Sequence, residues 1–203
     1  MRRRDLVRIL IPGLLYARVA VGSTSKDAAI AASKTRLTGE IKEAGLALPL
    51  KKPSIVIKKA DRTLELFDGD KLVKKYDTSL GLVPDGHKQK QGDYRTPEGK
   101  YFICNRNYGS AFHLFLGINY PNAADARAAL AEKKIDAKTA AKLVEADKAK
   151  RQPDWYTNLG GAVGIHGGGV GNDWTWGCIA LTDEHVEELW SACPHGTPVE
   201  ILP

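Results

Sequence analysis

Cysteine is scarce in this chain, with three residues in 203, at positions 104, 178 and 193. An odd count does not make a disulfide-stapled scaffold, and the absence of any C-x₂₋₄-C or H-x₃₋₅-H spacing among Cys104, His113, His166 and Cys178 argues against a zinc site. Long apolar runs are missing as well. Leu6 to Ala20 follows the basic Met1-Arg2-Arg3-Arg4, but Arg8, Pro12 and Arg18 interrupt it, so it makes a poor membrane helix. There are no internal repeats and no low-complexity tail. The net charge of +6 suits an anionic polymer of any kind, yet no nucleic-acid motif accompanies it and the pairs Lys51-Lys52, Lys58-Lys59 and Lys74-Lys75 are scattered. A hydrophobic share of 43% and a charged share of 27% are those of a globular chain long enough for one domain with a substantial core.

One stretch stands apart from this ordinary background. IHGGGVGNDWTWGCIAL, residues 165–181, places His166 and Cys178 among five glycines and two tryptophans. Each glycine costs about 0.5–1 kcal/mol in a regular element relative to alanine, so their density marks a backbone that must turn sharply or be approached closely. Gly177 before Cys178 and the apolar Ile179-Ala180-Leu181 after it put the cysteine where a turn enters a short strand. A free thiol titrates near ~8.5 and only its thiolate attacks carbonyl carbon well, so a nearby imidazole is the expected activator. Separately, a buried cysteine and a structural histidine are commonplace. Together in this loop they read as a nucleophile and its base.

These residues resemble the catalytic signature of the L,D-transpeptidase family of bacterial cell-wall enzymes, a His-Gly followed by a Gly-Cys-hydrophobic triplet. GDYRTPEGKYFI at 92–103 and FHLFLGINYPNA at 112–123 are similar to two further family segments, and the resemblance covers most of residues 54–202. Many members carry Ser-His before the Gly-Cys pair and an arginine two residues after the cysteine, where this chain has Thr175, Trp176 and Ala180. The resemblance implies a mainly β fold, a sandwich or barrel with peripheral helices. It implies attack by Cys178 on the L-centre carbonyl of an L,D-peptide bond in a peptidoglycan stem peptide, with a thioester intermediate and His166 as the proton carrier. It also implies an exported protein of the periplasm or cell envelope, a monomer, with stem peptides and a wall-linked lipoprotein as partners and neither cofactor nor metal. The acceptor is an amine in a transpeptidase and water in an amidase of the same scaffold. A wall-binding module without chemistry is the reading from another class, favoured by Ala180 and opposed by the intact His166 and Cys178.

Around that pair, the backbone N–H groups of Trp176, Gly177 and Cys178 are the expected oxyanion donors, since glycine lets amides approach a substrate. A backbone carbonyl at Gly167 is expected to fix the imidazole tautomer. Asp173 has two readings, a third catalytic member or ordinary Asn-Asp turn chemistry. Trp174 and Trp176 are either packing groups or walls of a peptide cleft. His113, in the alternating run Phe112–Leu116, lines the same cleft or faces solvent or a carbonyl. Cys104 and Cys193 are free or bridged.

Along the chain, residues 1–22 read as a degenerate export signal, with Ala20-Val21-Gly22 as the cleavage pattern, or as a cytosolic amphipathic arm. Residues 23–53 form a leader, with a helix over 26–48 carried by Ile30, Leu37, Ile41 and Ala44. A catalytic domain over 54–203 begins with SIVIKK, TLELF and LVKKYDTSL as strands, Asp68-Gly69 turning the hairpin. Strands follow around Lys100–Cys104 and His113–Ile118. A helical insertion spans about 123–150, its second helix capped by Asp136, and serves as a lid or as a solvated hairpin. Strands at Ala162–Ile165 and Cys178–Leu181 flank the glycine loop, a helix from Asp183 to Trp190 is capped by Thr182, and Pro198–Leu202 is the last strand.

Overall fold

The computed structural model describes residues 21–203, so the expected export segment at 1–22 lies almost wholly outside the described residues. Helix α1 runs Val21–Glu43 and stops where Gly45 takes a positive φ of 69°. Strands β1 (Pro53–Lys58), β2 (Thr63–Asp68) and β3 (Lys71–Asp77) form an antiparallel meander, and Gly69 at φ 61° makes the expected hairpin turn. Next come β4 (Gly99–Asn107), β5 (Phe115–Ile118), α2 (Ala123–Ala131) and α3 (Ala137–Lys148). The chain ends with β6 (Gly164–His166), β7 (Ile179–Ala180), α4 (Asp183–Ala192) and β8 (Pro198–Leu202).

The strands make one mixed sheet in the order β3-β2-β1-β8-β4-β5-β6-β7, with β1–β8 and β6–β7 parallel. The chain leaving β3 at one edge meets β7 at the other. Ser79 and Ala180 exchange two backbone hydrogen bonds, of 3.0 and 2.8 Å, and Leu82 N–H donates to Thr175 O at 3.0 Å. The sheet therefore curls into a half-barrel, which is the mainly β architecture with peripheral helices expected from the sequence. Closing an edge in this way satisfies backbone groups that an open edge would leave unpaired. It also clamps the Gly-Cys turn between β6 and the 79–82 segment.

Inside the curl, Ile55, Ile57, Leu64, Leu66, Ile103, Leu116, Ile165, Ile179, Val199 and Ile201 form the main core. Their alternation along each strand is the period-2 pattern that puts every second side chain on the inner face. α1 belongs to this core, because Leu37 and Ile41 are completely or almost completely buried in it. Burying such a side chain stabilises by about 1.5–3 kcal/mol. The helix is thus packed onto the β domain, and it also meets α4 through polar contacts. Arg36 Nε pairs with Glu188 Oε1 at 2.9 Å, and Ser33 Oγ donates to Glu187 Oε2. Glu187 and Glu188 of α4 are thus buried and paired with α1 and β3 groups.

Both expected caps form, Thr139 N–H donating to Asp136 Oδ1 at 2.7 Å and His185 N–H to Thr182 Oγ1 at 3.2 Å. The α2–α3 hairpin has a small core of its own, made by Ala126, Ala129, Ile135, Ala140, Leu143 and Leu159. None of its residues lines the groove that holds His166 and Cys178. All three cysteines are free, with Cys104 and Cys193 buried.

Candidate active site

β6 ends at His166 and β7 begins one residue after Cys178, and the parallel register sets Ile165 against Ile179 and His166 against Ala180. Adjacent parallel strands thus bring together two residues twelve positions apart. Both line a groove of about 730 Å³. Its other walls include Lys88, Tyr94, Phe112, Ala162, Trp174 and Trp176.

The imidazole is fixed by one short contact. His166 Nδ1 donates to its neighbour's carbonyl, Gly167 O, at 2.6 Å, which leaves Nε2 as the lone-pair nitrogen of the neutral ring. Phe112 stacks on that ring with centroids 4.7 Å apart, and Trp174 meets it edge-on at 5.5 Å. Burial lowers the His166 pKa, the Gly167 bond opposing in part, so the ring is neutral at pH 7. A side chain at Gly167 would run into the Asp183 carboxylate, which accepts from Gly168 N–H at 2.9 Å. The glycine is therefore required by close approach.

Cys178 is half-buried and its thiol donates to Ala162 O at 3.7 Å, not to the imidazole. Desolvation pushes the thiol up to about 11, against the lowering effects of the Gly164 backbone and the Lys88 charge. Burial favours the uncharged form of both groups, and the thiol–imidazole contact expected from the sequence is not made in this arrangement.

The turn before the cysteine is held by Thr175, whose hydroxyl donates to Cys178 O at 2.7 Å and accepts from Gly177 N–H at 3.1 Å. Gly177 N–H, expected as an oxyanion donor, is therefore already engaged. The N–H groups of Trp176 and Cys178 have no acceptor among the described residues and stay available. Gly177 adopts φ 123°, with an added Cβ falling 2.6 Å from Arg95 O, so only glycine makes this turn.

Two expected residues lie elsewhere. Asp173 is not beside His166: its Oδ2 accepts from Arg62 Nη2 at 2.8 Å and Nε at 3.1 Å, and its Oδ1 accepts from Leu80 N–H at 2.8 Å. It ties the glycine loop to the chain leaving β3. His113 is outside the groove too. Its φ of 65° takes it out of the expected strand, and its Nε2 contacts Glu187 Oε1 on α4 at 2.7 Å. Phe112 lines the groove in its place. Trp174 and Trp176 both line it, the second 75% exposed. Phe112, Lys88 and Tyr94 were not singled out from the sequence. Tyr94, inside the GDYRTPEG segment, and Phe112, the first residue of FHLFLGINYPNA, carried a signal, and Lys88 carried none.

A second cavity, about 660 Å³, lies between the helical hairpin and residues 154–158, lined by Lys133, Asp136, Lys142 and Tyr156 among others. It holds neither a thiol nor an imidazole, so the chemistry belongs to the groove.

The chain has the mainly β fold expected from the sequence, and comparison with known proteins bears on its family. Curated proteins give no match. Among solved structures, the helical cell shape determining protein Pgp2 from Campylobacter jejuni is similar at 19% identity and a TM-score of 0.46, with 87% of this chain and 54% of that chain covered. An L,D-transpeptidase from Xylanimonas cellulosilytica is similar at 15% identity and a TM-score of 0.42, covering 79% of this chain and 67% of that one. One from Mycobacterium smegmatis matches at 10% identity and a TM-score of 0.45, over 75% and 59%. The chain spans about half the length of Pgp2. The YkuD family model, described as the L,D-transpeptidase catalytic domain, matches residues 52–201. That span holds all of the sheet but its last residue, the groove, His166 and Cys178, and the chain belongs to the YkuD family of L,D-transpeptidase catalytic domains.

Proposed function

We propose that this protein is an exported cysteine L,D-transpeptidase that acts on peptidoglycan stem peptides in the periplasm or cell envelope. The observation that carries the reading is a single groove shared by a thiol and a tautomer-locked imidazole. Cys178 Sγ attacks the L-centre carbonyl of a stem tetrapeptide while its proton passes to His166 Nε2. The tetrahedral oxyanion is met by the N–H groups of Trp176 and Cys178, and losing one such donor typically costs about 10²–10³ in rate. Collapse expels D-alanine, which takes the proton from His166 and leaves a thioester on Cys178. An acceptor amine then resolves the thioester. Trp174 and Trp176 form aromatic walls suited to an extended peptide. A wall-linked lipoprotein is one substrate that such an acyl-enzyme can accept or release.

Incubating the purified protein with tetrapeptide muropeptides and identifying products by mass spectrometry tests this reading. New crosslinks or exchanged terminal residues support it, whereas a shortened stem alone assigns water as acceptor. Cys178→Ala is expected to abolish the acyl-enzyme and all turnover while keeping the fold. Undiminished turnover in that variant rejects the assignment.

A further inference from the structure

Two buried lysines flank the active-site half of the molecule, and they differ in how completely they are satisfied. Lys59 Nζ uses all three of its donors, on Gly86 O at 2.7 Å, Thr96 O at 3.1 Å and Glu98 Oε1 at 2.7 Å. Lys88 Nζ uses two, on Asp93 Oδ1 at 2.7 Å and Lys90 O at 3.1 Å. Its third N–H has no acceptor among the described residues, although the side chain is only 3% exposed. A buried ammonium is costly unless fully paired, so the remaining donor asks for a partner.

The position of that donor supplies one. Lys88 lines the groove with Cys178 and His166, and a Cβ on Gly177, the residue next to the cysteine, would lie 3.8 Å from its Nζ. The main chain of Lys88 is pinned from behind by Tyr120 Oη, which donates to its carbonyl at 3.3 Å. Asp93 does not cancel the cation outright. Its carboxylate is itself shared with the N–H groups of Gln89, Lys90 and Arg95, at 2.7, 3.0 and 3.2 Å. The ionisable groups facing the groove are Lys88, Tyr94, His166 and Cys178, with Asp93 behind Lys88. Lys88 is thus the fixed cation of the groove.

We propose that Lys88 is an electrostatic positioning residue that acts through Cys178, turning its unpaired N–H toward the negative charge that develops on the sulfur. The S–H proton goes to His166 Nε2, the electron pair stays on sulfur, and Lys88 keeps its own proton throughout. A buried thiol disfavours its anion, and a fixed ammonium beside it offsets that cost in a low-dielectric site. The inference rests on the reading of Cys178 as the nucleophile.

The rate of Cys178 alkylation at fixed pH between about 7 and 9, located by peptide mass spectrometry, tests it. Lys88→Met is expected to slow iodoacetamide alkylation about tenfold at each pH, the loss of thiolate that an upward shift of about one pH unit produces. Lys88→Arg is expected to restore it, with circular dichroism confirming the fold of each. The wild-type protein gives a second readout that does not depend on a variant folding. Anionic iodoacetate should outpace neutral iodoacetamide at Cys178, relative to their ratio on free cysteine, and the preference should shrink in high salt. An unchanged alkylation rate in folded Lys88→Met, or no preference for iodoacetate in the wild type, overturns the proposal while leaving Cys178 as nucleophile. Failure of Cys178 to react with either reagent defeats the nucleophile reading, and this inference with it.

Discussion

The carboxylate of Asp173 faces Arg62 and the backbone of Leu80, and no part of it reaches His166. The Arg62 half of this contact is partly solvated and contributes little on its own. The bond to Leu80 N–H matters more, because Leu80 is fully buried and loss of its acceptor strands a donor. Asp173→Ala is therefore expected to lower stability by about 1–3 kcal/mol, the usual cost of an unsatisfied buried group. Thermal unfolding and the pH profile of turnover check this together. A lower Tm with an unmoved acid limb fits a latch, whereas a displaced acid limb at unchanged Tm would return Asp173 to the catalytic machinery.

His113, in contact with α4, is a similar case. Its ring contacts Glu187, which also accepts from Ser33 of α1, so the histidine belongs to the seam between α1, α4 and the β5 approach. His113→Ala should destabilise by about 1–3 kcal/mol and leave kcat/KM on muropeptides within about twofold, since a buried carboxylate loses a partner that does not line the groove. Paired urea unfolding and steady-state kinetics make the comparison. A large kinetic defect with normal stability contradicts it.

What was legible in the sequence was chemistry that residue type alone dictates. The glycine loop announced a turn that only glycine makes, and Asp136 and Thr182 announced helix starts through the short acceptors they offer to orphan N–H groups. What was not legible arises from contacts between distant segments. Phe112 covers His166 because β5 pairs with β6, a register that no local pattern records. Lys88 looks in sequence like any solvated lysine, and its burial follows from the ion pair with Asp93 and the bond from Tyr120. His113 was misplaced because alternation predicts a strand, whereas the backbone there turns through a positive φ. Gly177 N–H was misassigned because the hydroxyl of Thr175, two residues back, folds over to accept it.

The same turn gives a sharp substitution test. Gly177→Ala forces a Cβ to within 2.6 Å of Arg95 O at a φ of 123°. The strand on either side is clamped by Ser79 and Leu82, so relief must come from the turn that carries Cys178. Displacement of a reacting atom by about 1 Å can cost ~10²-fold in rate, and a loss of that order in acylation is expected. Single-turnover acylation by a carbapenem measures it, and a rate within about twofold of wild type would show that the turn is more pliable than its contacts imply.

Trp176 should act on binding more than on chemistry. Its indole is 75% exposed at the groove wall, with only an edge contact to Tyr94 at 6.2 Å. An aromatic pair of this kind is worth about 0.5–1.5 kcal/mol beyond burial, and peptide contacts of similar size make Trp176→Ala raise KM by up to about tenfold while kcat and Tm stay near wild type. A fall in kcat at unchanged KM would instead show that losing the indole displaces the backbone N–H that meets the oxyanion.

The imidazole's environment fixes the sign of the pH dependence. Burial lowers the His166 pKa from its ordinary value of about 6.5, with Phe112 stacked on the ring excluding water from one face. Protonated imidazole cannot accept the thiol proton, so activity is lost as pH falls through the folded-state pKa and is fully present above it. The acid limb of kcat/KM should therefore have its midpoint below about 6.5. Phe112→Ala opens that face to water and makes the charged ring less costly, which moves the midpoint upward toward the ordinary value. Lost activity would then spread into mildly acid conditions where the wild type still works. Measuring kcat/KM from pH 5 to 8 for both proteins decides the matter. An acid limb that stays in place, or moves down, when Phe112 is removed would show that the stacked ring does not set the base's protonation and that the Gly167 carbonyl governs it instead.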